Sequence, residues 1–570
     1  GNRAPDNKGG AGYDQTRADF DFDRGSNAAA SRINSSGLIE KYRENLLTES
    51  NNFSDSDWNK NAGGSFTSGQ EGYDGSNDAW KFNVTTASNS GAWQNITFSG
   101  VATFSAYFKK GTLDKIGFTN YAGSGYECWF DLTNGTIGQQ TGDLIDAKIE
   151  AIGTNGWYRC SITDVGSGAN YFQLKPSNAY SGTSTAGHIF IQSAQVESSL
   201  VATEYLNSTS VTAKAGVLID LPRINYDANG ENGALLLEPS RQQLLQYSEY
   251  FGGWTLSNST ITSNATTSPE GVNNASLYTS TNVTNYVRNI ITASNATYTL
   301  SVFVKRVSTD EFRMNFSDGV TGEIRYVFNL ADETSTLTKS GGTISGYSAD
   351  FENYGNGWYR LHITATTNAG TAITAYFETD NETGSFYLYG AMLEQNASYV
   401  SSYIPNHSGT GGVTRAADSC SGGGSAESIN SVEGVLYAEI AALADDGTTR
   451  QIDLSYGTAN TNYVRLEFAT TSNLIYGVIK NTTQQAALSF VLSDSTNLNK
   501  IAIKYKVNDF ALWVNGVEVD TDTSGITPVN LDSLSFNYSA GSNLFYGNVK
   551  QLAVFNEALS DSELATLTTL

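Results

Sequence analysis

Chemistry in a protein needs side chains that hold a metal, move a proton or attack an electrophile, and this sequence is poor in them. Histidine occurs three times, as His188, His362 and His407, in unrelated contexts. A zinc-type site needs His or Cys clustered at short spacing, and Cys128, Cys160 and Cys420 supply no cluster. A Ser-His-Asp triad would need one of those histidines as base, and no Gly-x-Ser-x-Gly elbow frames a serine. Carboxylates remain, 57 of them. Glycoside hydrolysis needs only two, so a polysaccharide depolymerase is the one enzyme the composition allows. Such enzymes usually use β-helices with rung-length repeats, which this chain lacks. The residues therefore read as a non-enzyme, with no catalytic residue and no metal centre. Calcium needs only oxygen ligands. Asp445-Asp446-Gly447 and Asp520-Thr521-Asp522 are acidic turns read as solvated loops, so Ca2+ is the only cofactor left open.

Aromatic side chains could instead bind. Tyr107 and Trp157, with counterparts Phe303 and Trp358, fall off the main core face of their strands. Two roles fit them: a stacking platform for sugar rings, or a second packing layer or subunit interface with Arg159 or Arg360 lying on the Trp ring. The second is expected, because both copies of a repeat keep these residues, as a shared fold requires. No ligand-binding residue is assigned. Cys128 and Cys160 share a module and either pair or stay as free buried thiols. The latter is expected, since a free Cys behaves as a small hydrophobe. Triplets such as Asn95-Ile96-Thr97 follow from an Asn/Thr-rich composition.

Lys and Arg number 33 against 57 acids, a formal net charge of −24. Such a polyanion is repelled by nucleic acid and by anionic lipid. No run approaches the 18 or so apolar residues of a membrane helix, so no membrane insertion is expected. The start, Gly1-Asn2-Arg3-Ala4-Pro5, does not read as a signal peptide. With 56 Gly, 32 Tyr and only 7 Pro among 570 residues, the chain reads as several domains of short strands joined by polar turns.

A repeat organises the strands. Arg43-Glu44-Asn45-Leu46-Leu47-Thr48-Glu49-Ser50-Asn51-Asn52-Phe53 returns as Arg241-Gln242-Gln243-Leu244-Leu245-Gln246-Tyr247-Ser248-Glu249-Tyr250-Phe251, each followed by a Trp, Trp58 or Trp254. Thr103–Lys109 matches Thr299–Lys305, Asn155-Gly156-Trp157-Tyr158-Arg159 returns intact at 356–360, and Ala194–Glu197 matches Ala391–Glu394. Upstream, Arg32-Ile33-Asn34 and Gly37-Leu38-Ile39-Glu40 answer Arg223-Ile224-Asn225 and Leu235-Leu236-Leu237-Glu238. The shifts lie near 198 residues. Within the blocks the period is two, as in half-buried antiparallel strands, and Asn-Gly before each Trp signals a tight turn. The fold class expected is all-β: tandem antiparallel β-sandwich, jelly-roll-like domains with little helix. The divisions expected are an arm at 1–30, copy 1 at 31–214, copy 2 at 215–416, a Gly/Ser linker at 417–428 and a different sandwich at 429–570. Only Ser560-Asp561-Ser562-Glu563 signals a helix, as a capping box.

The modules resemble the carbohydrate-binding-like β-sandwiches of bacteriophage head spikes, head fibres and tail fibres. The resemblance rests on the opening at 45–58, the Asn-Gly-Trp-Tyr-Arg hairpin, and the closing Tyr403-Ile404-Pro405 to Val413-Thr414-Arg415-Ala416-Ala417-Asp418. Residues 429–570 resemble laminin-G-like, concanavalin A-like domains through Glu433-Gly434-Val435-Leu436-Tyr437, Leu512-Trp513-Val514-Asn515-Gly516 and Gly547-Asn548-Val549. The resemblance implies a virion protein forming homotrimers. Its N-terminal segment would meet capsid or tail proteins, and residues 429–570 would form the distal end that binds a host surface glycan. A decoration protein without a receptor role, the depolymerase and a bacterial adhesin are the alternatives.

Overall fold

The computed structural model describes residues 20–570 except 28, 62, 86–90, 121–125, 143, 181–185, 320, 369–371, 458–459 and 538–541. Most of the expected N-terminal arm, 1–19, lies outside these. The fold is all-β, with antiparallel sheets in tandem sandwiches and, among the described residues, one α-helix, Asp561–Thr568. That helix carries the expected capping box between Ser560 and Glu563.

The two copies share a plan. Asn45 Nδ2 donates to the Ala194 carbonyl (3.1 Å), as Gln243 Nε2 does to Ala391 (2.6 Å). Buried amides so placed satisfy backbone groups where the opening strand meets the sheet. The copies differ in continuity. In copy 1, Ala92–Lys110 and Trp157–Ser177 pair without interruption from Ala92↔Leu174 to Lys109↔Trp157, so one ten-stranded sheet folds over its own core. In copy 2 the corresponding path breaks into Tyr286–Thr292 with Thr297–Arg306 and Trp358–Thr367 with Ala372–Thr379, giving separate eight- and six-stranded sheets. Asn356 and Gly357 both take positive φ at the copy 2 hairpin. The copy 1 loop uses Gly153 and Gly156 instead.

The divisions expected from the sequence change at the joints. The strands Ser31–Ile33 and Ile39–Lys41 form a hairpin that precedes copy 1 but packs on copy 2. Ile39 N donates to the Pro269 carbonyl (3.0 Å), and Ile39 shares a cluster with Phe303, Trp358, Tyr389 and Tyr403. The related hairpin Ile224–Asn225/Ala234–Leu237 precedes copy 2 but joins the last sandwich, with Leu235 opposite Val549. The two hairpins meet, Tyr226 N donating to the Ile33 carbonyl (3.0 Å) and Ile33 N to Asn225 Oδ1 (2.8 Å). Copy 1 is inserted between them. Its first strand Arg43–Asn45 pairs with its last, Ala213–Ala215, and a Cβ on Gly216 (φ +81°) would lie 2.0 Å from the Lys41 carbonyl. The chain leaves and returns at one point, which is how inserted domains are tolerated.

The last sandwich packs a seven-stranded sheet on a five-stranded one. Leu436, Ile452, Leu466, Ile503 and Leu512 fill the space between. The stretch 417–428 is packed rather than a free linker: Cys420 is in this core, and Gly423 bridges Leu534. Nor does the described end of the N-terminal segment reach away. Asp21–Asp23 pairs with Ser419–Ser421, and the Phe20 ring lies 5.6 Å from Phe536. Where these segments cross, Arg24, Arg223 and Arg415 meet Glu238 and Asp418 out of solvent. Arg223 and Arg415 are 2.8 and 2.9 Å from Glu238, Arg24 is 3.3 Å from Asp418, and Arg223 also contacts Asp418.

Candidate functional site

One loop recurs in both copies with the same backbone. In copy 1 Gly72 N donates to Ser76 O (2.9 Å) and Gly75 N to Gly72 O (3.4 Å), with Gly75 at φ +81°. In copy 2 Ser268 N donates to Val272 O (2.9 Å) and Gly271 N to Ser268 O (3.0 Å), with Gly271 at φ +84°. Asp74 therefore stands where Glu270 does, and Asp78 where Asn274 does. Strand register equates Gln192 with Tyr389, since they face Tyr107 and Phe303. The hydroxyl pairs Ser50–Tyr205 (2.7 Å) and Ser248–Tyr403 (2.8 Å) equate Asn51 with Glu249.

In copy 2 this place is sealed. Lys41 Nζ, from the N-terminal hairpin, lies 2.9 Å from Glu249 Oε1 and 2.8 Å from Glu270 Oε2. Tyr403 Oη donates to Glu249 (3.0 Å), and Tyr389 Oη (3.1 Å) and Asn274 Nδ2 (2.8 Å) donate to Glu270. Leu38 covers Gly271. Burial works against the charge on Lys41, but Glu249 and Glu270 outweigh it and raise its pKa. Burial likewise resists ionisation of Glu249, and Lys41 overrides it to lower that pKa.

In copy 1 the same place is open. A Cβ on Gly75 would meet nothing within 4 Å. Asp74 and Asp78 are exposed. The buried Gln192 amide donates to Asp78 Oδ1 (2.6 Å) and Asp74 Oδ1 (3.3 Å), and its Oε1 accepts from Tyr73 N (2.9 Å). Asn51 Nδ2 donates to Asp78 Oδ2 (3.3 Å), and Ser76 Oγ to Asp74 Oδ1 (2.7 Å). Partial burial would raise the Asp74 pKa, but hydrogen bonds from the Ser76 hydroxyl and N–H prevail and lower it. Among the described residues no Lys or Arg pairs with either carboxylate. The half-buried Tyr73 ring lies 3.9 Å from Tyr107, nearly parallel at 10°, and meets Trp157 edge-on at 6.4 Å. Trp157 is 1% exposed and its Nε1 finds no hydrogen-bond acceptor, whereas Trp358 Nε1 donates to Thr267 O (3.2 Å). Gly72 is needed here, because a Cβ would sit 2.5 Å from Gln192 Oε1 and 2.7 Å from Asp74 Oδ1.

Tyr107, Trp157, Phe303 and Trp358 are buried in clusters separate from the main cores, as a second packing layer. The guanidinium contacts differ from expectation. Arg159 lies over Tyr107 (5.3 Å) and Arg360 over Phe303 (5.2 Å), not over Trp, because those residues face each other directly across paired strands. Cys128, Cys160 and Cys420 are free and buried. The histidines stand in three separate settings: His188 beside Thr112, His362 opposite Asp350, and His407 4.0 Å from Glu249. Among the described residues no three His, Cys, Asp or Glu side chains converge as for a metal. Asp446 pairs with Arg450 (2.9 Å), Asp445 accepts from Asn473 N (3.3 Å), Asp520 from Ser489 N (2.9 Å) and Asp522 from Ser524 N (2.9 Å). Sequence reasoning missed Asn51, Tyr73, Asp74, Asp78 and Gln192. The available signal was the mismatch between copies at these positions.

No family model and no curated protein matches the chain. Among solved structures, the chain is similar to the CBM40 of the Ruminococcus gnavus IT-sialidase, at 16% identity over 24% of this chain and 84% of that one, with a TM-score of 0.22. It is also similar to the CBM22-1–CBM22-2 tandem domain of Paenibacillus barcinonensis Xyn10C, at 11% identity over 65% and 99% of the two chains (TM-score 0.21). Mouse laminin α1 LG4-5 aligns at 9% identity over 48% and 88% (TM-score 0.18).

Proposed function

We propose that this chain is a non-enzymatic attachment protein of a bacteriophage particle, a trimeric fibre or spike, and that its inserted copy 1 holds a surface glycan. One observation carries the reading: the half-buried Tyr73 ring, beside the exposed carboxylates Asp74 and Asp78, lies open in copy 1, while the corresponding place in copy 2 is sealed by the chain itself. Carboxylates and amides are planar acceptors and donors suited to adjacent sugar hydroxyls, and a tyrosine ring offers an apolar face to a pyranose. In this reading the polarity reverses the sequence-based expectation. The described N-terminal segment packs on the last sandwich. If residues 1–19 hold the particle, residues 429–570 lie on the particle side and copy 1 faces the host. In this reading the buried Arg–carboxylate crossing and the hairpins keep the body rigid, and a trimer multiplies weak single-site binding.

The test is glycan-array binding and competition for host-cell adsorption by the full chain, compared with Tyr73→Ala. The reading expects a loss of about tenfold or more in binding (≥ ~1.4 kcal/mol) with an unchanged thermal midpoint. Unchanged binding by the variant would count against copy 1 as the site, and reducing ends released from a capsule polysaccharide would show an enzyme.

A further inference from the structure

Copy 1 stands on copy 2 through a polar, hollow seat. Gly100 and Val101, inside the long strand Ala92–Lys110, rest on the loop that carries His407. Val101 N donates to the His407 carbonyl (2.9 Å), and a Cβ on Gly100 (φ +93°) would lie 2.0 Å from that oxygen. A second contact runs from Asn264 Nδ2 to Asp146 Oδ2 (2.8 Å) and to the Leu200 carbonyl (3.1 Å). Beside the first contact lies a cavity of about 270 Å³, walled by copy 1, the N-terminal hairpin and copy 2, with His407 on its wall. The two chain crossings into copy 1, at Tyr42 and Gly216, lie side by side and form one hinge. We infer that copy 1 is an arm released by acid: protonation of His407 weakens its seat on copy 2, and the arm turns about Tyr42 and Gly216. The inference goes beyond the glycan reading and stands without it, since it concerns how copy 1 is held and not what copy 1 holds.

The charges around His407 set the sign. Its side chain is 12% exposed, and Nε2 lies 4.0 Å from Glu249 Oε1, which already accepts from Lys41 Nζ (2.9 Å) and Tyr403 Oη (3.0 Å). Glu270, the other carboxylate acting on His407, is likewise held by Lys41 (2.8 Å). The cavity wall adds Tyr42, Arg43, Glu44 and Glu197. Arg43 donates to Thr203 Oγ1 (2.7 Å), Glu44 accepts from Tyr42 Oη (2.6 Å), and Glu197 accepts from Thr203 N (2.8 Å) and Gln195 Nε2 (2.7 Å). An imidazolium therefore meets carboxylates that are already engaged and an ammonium in the same cluster. Burial disfavours the charged ring and Lys41 repels it; together they outweigh Glu249 and Glu270 and lower the His407 pKa. Turning copy 1 away hydrates the ring and lifts its pKa toward the ordinary value of about 6.5. The undocked form thus takes up the proton more readily. The contribution of His407 to docking is full above that value and is lost as pH falls below it.

The experiment is residue-resolved hydrogen exchange of the full chain at about pH 7.5 and about pH 5.5, on either side of the ordinary histidine value, corrected for the intrinsic exchange rate. The Val101 amide reads the seat, and the Ile39 amide, which donates to the Pro269 carbonyl (3.0 Å), reads the hairpin on copy 2. With one proton taken up on release, protection of Val101 should fall about tenfold between the two pH values while Ile39 stays as it was. His407→Gln takes up no proton in this range and should keep Val101 protected at both. Gly100→Ala drives a methyl group onto the His407 carbonyl and should lower Val101 protection at both, with Ile39 unchanged. Equal protection of Val101 at the two pH values in the wild type would overturn the inference. So would a fall that persists in His407→Gln, a fall that Ile39 shares, or a Gly100→Ala variant that protects Val101 as the wild type does.

Discussion

Replacing Lys41 with Met keeps most of the stem of the side chain and removes its ammonium. Glu249 and Glu270 are then left with buried side chains, 0% and 8% exposed, and without their cation. Breaking a buried pair by removing one partner costs about 3–5 kcal/mol. The expected loss in copy 2 is therefore about 4 kcal/mol, which at a urea m-value of about 2 kcal/mol/M moves the midpoint by roughly 2 M. The assay is urea unfolding followed by tryptophan fluorescence, with the copy 2 transition assigned by near-UV signals lost in a Trp358→Phe background. The sign with pH is a second readout. In the wild type the Lys41 pKa is raised, so its contribution is full below the unfolded lysine value and fades as pH rises through the folded one. In Lys41→Met the burial that resists ionisation of Glu249 is no longer overridden by a cation, so its folded pKa should rise and the deficit should narrow as pH falls toward the carboxylate range. Added methylammonium should recover part of the loss by occupying the vacated position. A variant within about 0.5 kcal/mol of wild type at neutral pH would refute the view that this ion cluster pins the hairpin to copy 2.

Glu238 is buried, which alone would raise its pKa, but Arg415 and Arg223 hold it down at about 2. Its contribution, about 3 kcal/mol, is present above the ordinary carboxylate value and should be lost as pH falls toward 2. Thermal midpoints across that window should show the slope in wild type and lose it in Glu238→Gln, which should also be less stable at neutral pH. All three thiols are buried and free, and burial pushes Cys128 up to about 12. A thiol-disulfide exchange reagent should therefore find none in the native protein and three after denaturation.

Much of the fold was legible because its makers are local. Alternation in Phe104, Ala106 and Phe108, and in Leu300, Val302 and Val304, marks the inner face of one strand twice, and all six residues are buried. The capping box was equally local. The nesting was not legible. Leu235-Leu236-Leu237 looks the same whether it pairs within copy 2 or with Gly547–Val549, and partner choice depends on sheet edges hundreds of residues away. The open site was hidden for a related reason. Asn51 against Glu249 and Gln192 against Tyr389 read as ordinary drift between copies, and only the arrival of Lys41 in one of them gives the difference meaning. The Arg contacts failed on register. Alternation puts Arg159 and Trp157 on one face, but the ring directly opposite the arginine is Tyr107.

Excision of copy 1 tests the account most directly. Lys41 and Gly216 are adjacent, so residues 43–215 can be replaced by a short Gly/Ser bridge without stretching the body. The account predicts that copy 2 and the last sandwich keep their unfolding midpoints, that the excised chain no longer binds glycan, and that it no longer competes for host-cell adsorption. A shortened chain that binds and competes as the full chain does would contradict the placement of recognition in copy 1, and one that fails to fold would contradict the nested architecture.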